Sequence, residues 1–373
     1  MKKLIAALII IILPALIITG CKPSNNGNII KIAFVSPLTG DVAAMGQGMK
    51  NGAMLAIEDA NIKYKDLGYI FELMPIDDRA DPKEAVNAAN QIISDKNVYG
   101  IIGHLNSGCS IPASAVYNKR NMVMISPAST NPKLTQQGLE NVFRLCTTDD
   151  VQGTFAAERL LKIGIKNIAV IHDKTPYGQG LAEEFKKTIE AGKGKVLSFE
   201  GISMGDKDFN AILIKLKTLR PDAIYFGGMY QEGGLLTRQA KEMGLRVPVI
   251  GGDGLYTSEY IKIAGTPSEG DMTTSIGLPP EKLPKSKEFI SKYTAKYPNY
   301  DMQPYDPTTY DSTALLAYAI VQAKKDKSKI LEIVKNVKFD GVTGPVQFDK
   351  KGDTLNKAVT MYIVKNGKWI VKE

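Results

Sequence analysis

The chain has 373 residues, 44% of them hydrophobic and 23% charged. That balance excludes a low-complexity or disordered chain and leaves room for two domains, each with its own core. The formal charge is +8, yet the basic runs are as short as Lys186-Lys187 and Lys324-Lys325 and carry no interleaved aromatics, so a solvated surface accounts for them better than nucleic acid does.

Residues 1–21 stand apart. A basic start, MKK, leads into an apolar run, Leu4–Ile18, broken by Pro14 and closed by Ile18-Thr19-Gly20-Cys21. The run is shorter than the ~20 residues of a bilayer-spanning helix, and its layout is that of an export signal over residues 1–20. The last four residues resemble a bacterial lipobox, which implies cleavage before Cys21 and lipidation of its thiol. The other reading is ordinary signal cleavage with an incidental cysteine. Removing residues 1–20 takes away two lysines and no acid, so 45 basic against 39 acidic residues leave +6. Residues 21–28 read as a polar tether. Cys109 and Cys146 are then an even pair in an oxidising compartment, expected to be free rather than bonded. No CxxC occurs and a zinc site would lack ligands, so no metal or cofactor is expected.

From residue 29 an alternation sets in. KIAFVSPL reads as a buried strand, and Gly46–Asn61 as a helix with Met49, Ala53, Ala56, Ile57 and Ala60 on one stripe. YIFELMPI is the next strand. Asp81-Pro82 starts a helix, Asp81 capping and Pro82 at its first position. Val98–Ile102 and Met122–Ile125 are strands with a short helix between them. The pattern is βαβαβ, a parallel sheet covered on both faces. It repeats from near Asp150 with strands NIAVIH, KVLSFE, DAIYFGG and VPVIGG, and helices at Gly180–Glu190, Phe209–Leu219 and Leu235–Met243. The tail differs, with helices at Phe289–Tyr297, Ser312–Ala323 and Ile330–Val337. Short strands follow at Val346–Phe348, Ala358–Val364 and Trp369–Val371, the last two joined by a Lys-Asn-Gly-Lys turn. Such a tail can return to both earlier units, and clefts between domains are favoured ligand sites.

Three chemistries compete for that cleft. For nucleophilic catalysis, Ser107 has His104 three residues before it, but there is no GxSxG elbow, and both His104 and His172 read as strand-end hydrogen-bonding groups. For nucleotide binding, Gly46-Gln47-Gly48 with Gly52 is one residue too long for the dinucleotide fingerprint. For clamping of a zwitterion, three small polar turns fall at strand ends: Leu105-Asn106-Ser107, Ala128-Ser129-Thr130 and Gly252-Asp253-Gly254. The first two offer hydroxyls and N–H groups and the third a carboxylate. The alternative is that all three are strand–helix turns with capping residues.

The segments GHLNSGCSIPAS, MISPASTNPKLT, DDRADPKEA and VIHDKTPYGQGLA together resemble the periplasmic leucine/isoleucine/valine-binding proteins of bacterial ABC importers, from about Lys31 to the C-terminal strands. The resemblance implies two doubly wound α/β lobes joined by three crossovers, the type I periplasmic binding fold that closes like a flytrap. Residues 29–148 with 277–343 would form one lobe, and 149–276 with 344–373 the other. It implies that Ser107, with Leu105 and Asn106 in its turn, takes a ligand carboxylate. The Ala128 carbonyl and Thr130 hydroxyl would hold the ammonium, Asp253 would face it from the far lobe, and Tyr177, Met45 and Met229 would line the cleft. Met45 and Met229 replace tyrosines of the leucine-type pattern and Asp253 replaces a glutamate, while Ala80 and Asn106 stand where a family disulfide would be. The implied protein is a monomeric, non-enzymatic lipoprotein that delivers an amino acid to an ABC permease and its ATPases. Binding of an amide, urea or aromatic acid, or a sensor or enzyme-activator role, are the alternatives.

Overall fold

The computed structural model describes residues 29–283 and 285–372; the export signal, tether and Cys21 expected above lie outside the described residues. The first lobe runs β1 (Ile29–Ser36), α1 (Ala43–Tyr64), β2 (Ile70–Asp77), α2 (Pro82–Ser94), β3 (Val98–Gly103), α3 (Ser107–Asn118), β4 (Met124–Ser126), α4 (Lys133–Gln136) and β5 (Val142–Arg144). Its sheet has the order β2-β1-β3-β4-β5, with every pairing parallel.

Local chemistry sets several of these boundaries. Asp81 caps α2 by accepting the N–H groups of Lys83 and Glu84 at 2.7 and 3.0 Å, with Pro82 inside the first turn. Helix α1 starts three residues earlier than its apolar stripe suggests. It lies so close to the chain around Pro37 and Asp306 that a Cβ at Gly46 or Gly52 would overlap backbone carbonyls there, which explains the glycines that mimic a nucleotide fingerprint.

The second lobe continues with α5 (Asp149–Lys162), β6 (Asn167–His172), α6 (Pro176–Ala191), β7 (Lys195–Gly201), α7 (Asn210–Leu219), β8 (Ala223–Gly227), α8 (Tyr230–Glu242), β9 (Val249–Gly251), α9 (Ser258–Ala264) and β10 (Met272–Ile276). The chain then returns to the first lobe through α10 (Ser286–Lys296), α11 (Asp306–Gln322), α12 (Lys327–Lys335) and a hairpin, β11 (Phe339–Gly341) with β12 (Gly344–Val346). It ends in the second lobe with β13 (Val359–Lys365) and β14 (Lys368–Val371). The second sheet is β14-β13-β10-β9-β8-β6-β7, antiparallel only where β13 joins β10 and β14 joins β13. Its parallel part, β7-β6-β8-β9-β10, repeats the order of the first lobe. Each lobe therefore has a switch point, between β1 and β3 and between β6 and β8, where ligands of such sheets lie.

The lobe boundary expected at 343/344 falls inside the β11–β12 hairpin. Residues 344–354 stay with the first lobe, because Asp353 bridges to Arg144 and Phe348 to Thr354, and the third crossover lies between Thr354 and β13. Both cores are close to dry. Ile32, Phe34, Ile102 and Leu316 in one lobe and Ile168, Phe185, Phe226 and Leu236 in the other have no exposed surface, each contributing about 1.5–3 kcal/mol. Cys109 and Cys146 are free and buried. Among the described residues no helix is long and apolar enough to cross a membrane.

Candidate functional site

Ser107 opens α3 directly behind β3, so the helix's unused N-terminal N–H groups point where the strand ends. Its Oγ accepts the Asn131 N–H at 3.2 Å, which leaves the hydroxyl proton to be donated. His104 fixes this turn from inside the lobe. Its ring lies between Asp78 Oδ2 at 2.6 Å and the Tyr117 hydroxyl at 3.0 Å, and its carbonyl accepts the Ser126 hydroxyl at 3.1 Å. A histidine enclosed and engaged on both ring nitrogens is no base for Ser107. His172 plays the other expected part, its Nδ1 accepting the Lys174 N–H at 3.1 Å.

Ala128 and Thr130 sit on the turn after β4, and Arg144 holds that turn. The fully enclosed guanidinium donates to the carbonyls of Ser129 and Asn131 at 3.0 and 2.8 Å and to the Thr135 hydroxyl at 2.7 Å, while its Nε pairs with Asp353 at 2.5 Å. A planar fork with several fixed donors suits this use better than a lysine would.

From the second lobe, Tyr177 projects from the first turn of α6, which Thr175 caps by accepting the Gly178 N–H at 3.0 Å. Asp253 follows β9, its N–H donating to Gln152 Oε1 at 3.2 Å. The Tyr177 hydroxyl donates to Asp253 Oδ1 at 2.8 Å and accepts the Gly254 N–H at 2.9 Å. The other carboxylate oxygen, Oδ2, accepts a 2.5 Å hydrogen bond from Tyr305, which stands at the start of α11 in the first lobe. Leu105, Asn106, Ser107, Ala128, Tyr177, Met229 and Tyr305 line one narrow cavity between the lobes, of about 10 Å³. That is room for about one water molecule, so an amino acid enters only as the lobes part or the walls shift. Thr130 and Asp253 are enclosed beside it. Met45 does not line the cavity; it is fully buried in the apolar core cluster. A larger hollow of about 240 Å³ lies between α1, α10 and α11, but its charges already face each other, with Lys292 and the Tyr310 hydroxyl on Asp59 at 3.2 and 2.7 Å.

Burial pushes the Asp253 carboxyl up from its ordinary range, while the hydroxyls of Tyr305 and Tyr177 and the Gln152 side chain pull it back. Arg144, beside the Thr130 turn, is spent on Asp353 and on that turn. The arrangement therefore offers hydroxyl and N–H donors on one lobe, and on the other a buried carboxylate that has no salt-bridge partner among the described residues. Tyr305, Arg144 and Gln152 escaped the sequence reading. The sequence reading starts this helix at Ser312, whereas it begins at Asp306, directly after Tyr305. The Asp306-Pro307 pair, a helix-start signal like Asp81-Pro82, was the clue.

A periplasmic binding protein family model matches residues 29–368. A leucine-, isoleucine-, valine-, threonine- and alanine-binding protein of Pseudomonas aeruginosa is 40% identical over 341 residues, 89% of each chain. A leucine-binding protein of Thermotoga maritima superposes with a TM-score of 0.85 at 33% identity, covering 92% of this chain and 98% of that one. A branched-chain amino acid transporter binding protein of Streptococcus pneumoniae, solved with isoleucine, gives 0.84 at 30% over 92% and 98%. The chain belongs to the periplasmic binding protein family.

Proposed function

We propose that this protein captures an aliphatic amino acid between its lobes outside the cytoplasm, anchored by lipid on Cys21, and delivers it as a monomer to an ABC permease. The observation that carries the reading is Asp253: a fully enclosed carboxylate with hydroxyl partners from both lobes, no cation beside it among the described residues, and the Ser107 and Thr130 turns across the cleft. A buried acid is costly unless a positive group joins it. A ligand α-ammonium supplies that charge, while the Ser107 hydroxyl and the start of α3 suit its carboxylate. The relatives' names support the branched-chain class, and Met229 and Leu105 supply an adaptable apolar wall for its side chain.

Titration calorimetry with L-leucine, L-isoleucine, L-valine and L-alanine, against N-acetyl-leucine and benzoate, tests this. Tight binding of at least one free amino acid with loss on N-acetylation is expected. Equal binding of N-acetyl-leucine, or binding of benzoate alone, refutes it.

A further inference from the structure

The three crossovers flank a second cavity. Leu145, Cys146 and Thr147 of the first, Gly277 and Leu278 of the second and Asn356 of the third line a space of about 100 Å³. The cleft cavity described above holds about 10 Å³, so this is the larger ready-made space of the two. They share no lining residue. Pro304 lines the hinge cavity and Tyr305, its neighbour in the chain, lines the cleft.

The lining chemistry selects the occupant. Among the described residues no charged side chain lines the hinge cavity. An ion would leave water there without a partner, so neither a zwitterion nor a carboxylate suits it. Both lobes supply apolar wall: Met302, Pro304 and Pro307 from the first, and from the second Ile276 with the stacked rings of Tyr256 and Tyr362, 4.1 Å apart. Such walls suit a flat apolar molecule. One polar group is left over for it. Thr147 is 2% exposed, and its hydroxyl has no hydrogen-bond partner among the described residues. An enclosed hydroxyl in that state gains from any donor or acceptor an occupant brings. Size sets the upper limit. An apolar cavity of about 150 Å³ takes benzene, so a space of about 100 Å³ with the half-exposed Leu278 at its rim takes one ring and no more.

We propose that the hinge cavity is a second ligand site, which takes an uncharged one-ring molecule carrying a single hydrogen-bonding group, and that its occupant favours the closed lobes. The walls come from both lobes and from all three crossovers, so parting the lobes pulls this shape apart. A ligand that fits one arrangement shifts the population toward it. By linkage, the hinge ligand and the cleft ligand then raise each other's affinity by the same factor. The site itself is independent of what the cleft binds; the coupling rests on the cleft being an amino-acid site.

Saturation-transfer NMR with phenol, benzene and benzoate as probes tests the site. Wild-type protein is expected to bind phenol, benzene more weakly, and benzoate not at all in this cavity. Thr147→Val keeps the shape and removes the hydroxyl; it should weaken phenol by about three- to tenfold and leave benzene unchanged. Leu278→Trp fills the mouth and should abolish the phenol signal. Calorimetry with L-leucine, or the standard amino acid that binds in its place, reads the coupling: saturating phenol should raise its affinity at least about fivefold, and should leave it unchanged in Leu278→Trp. No transfer to phenol in the wild type, or phenol binding undiminished in both variants, overturns the site. Phenol binding that leaves amino-acid affinity unchanged overturns its hold on closure. If no amino acid binds, the amino-acid reading falls and the coupling with it, while the phenol series still decides the site. Thr147→Val decides it even if Leu278→Trp does not fold.

Discussion

The Tyr305 hydroxyl reaches Asp253 Oδ2 across the cleft at 2.5 Å, tying the start of α11 in one lobe to the end of β9 in the other. Its neighbours repeat the gesture. The Thr257 hydroxyl donates to Gln303 at 2.7 Å and the Ser258 hydroxyl to Asp301 at 3.0 Å. Asp301, Gln303 and Tyr305 thus all meet the second lobe, and the most deeply buried of these contacts falls on Asp253. In the proposed function closure and recognition share this group, so a ligand that engages Asp253 also biases the lobes toward the closed state.

Tyr305→Phe keeps the ring and removes that bond. Leucine affinity is expected to drop by about 1.5–3 kcal/mol, the range for a hydrogen bond to a charged group, with most of the loss in the dissociation rate. Stopped-flow displacement measures it; an unchanged dissociation rate excludes Tyr305 as a closing contact.

Ser107→Ala and Thr130→Ala should each weaken amino-acid binding by about 1.5–3 kcal/mol. Asp253→Asn should cost more, and should abolish the preference for a free amine over its N-acetyl form. Calorimetry on the four proteins checks the order; full wild-type affinity in Asp253→Asn would mean that a neutral or anionic ligand fills the cleft.

Asp353→Ala strands the Arg144 guanidinium, which has no exposed side-chain surface. Removing one partner of a buried pair costs about 3–5 kcal/mol. Because Arg144 also holds the Thr130 turn, binding should weaken together with stability. Urea denaturation and calorimetry give the two numbers; a loss under about 1 kcal/mol shows that Arg144 finds compensation elsewhere.

Asp306 accepts the Tyr293 hydroxyl at 2.5 Å and the Gln303 N–H at 2.8 Å, and burial pushes its carboxyl up to about 8. Between the ordinary carboxyl range and about 8 the folded chain holds a proton that the unfolded chain has lost. Stability from this group therefore falls as pH rises through that window, toward about 1.4 kcal/mol per pH unit. Denaturation at pH 5, 6.5 and 8 should show a decline that Asp306→Asn flattens; parallel curves for the two proteins contradict it.

Cys21→Ser should move the mature chain from membrane to soluble fractions, because a lipidated cysteine at the end of a short apolar run anchors without spanning. A processed Cys21→Ser chain that stays with the membrane refutes the anchor.

The α/β alternation, the Asp81-Pro82 helix start and the two polar turns at the ends of β3 and β4 were legible in the sequence. Each is a local matter: apolar periodicity selects strand or helix, and a side chain caps the N–H groups two or three residues on. Ser107, Ala128, Thr130 and Asp253 could be named because they sit on small polar turns at strand ends, whereas Tyr177 came only from the family resemblance. What the alternation left open was who meets whom across long stretches of chain. Tyr305 joins Asp253 52 residues away and Arg144 joins Asp353 over 209. The latter keeps residues 344–354 with the first lobe, and Asp149 comes to lie against the Thr130 turn and in the field of Asp253 only once both lobes are folded. Sequence periodicity carries no record of such pairings. They are decided by burial, which leaves a carboxylate no water and obliges it to use whatever hydroxyl, guanidinium or ammonium the fold brings beside it.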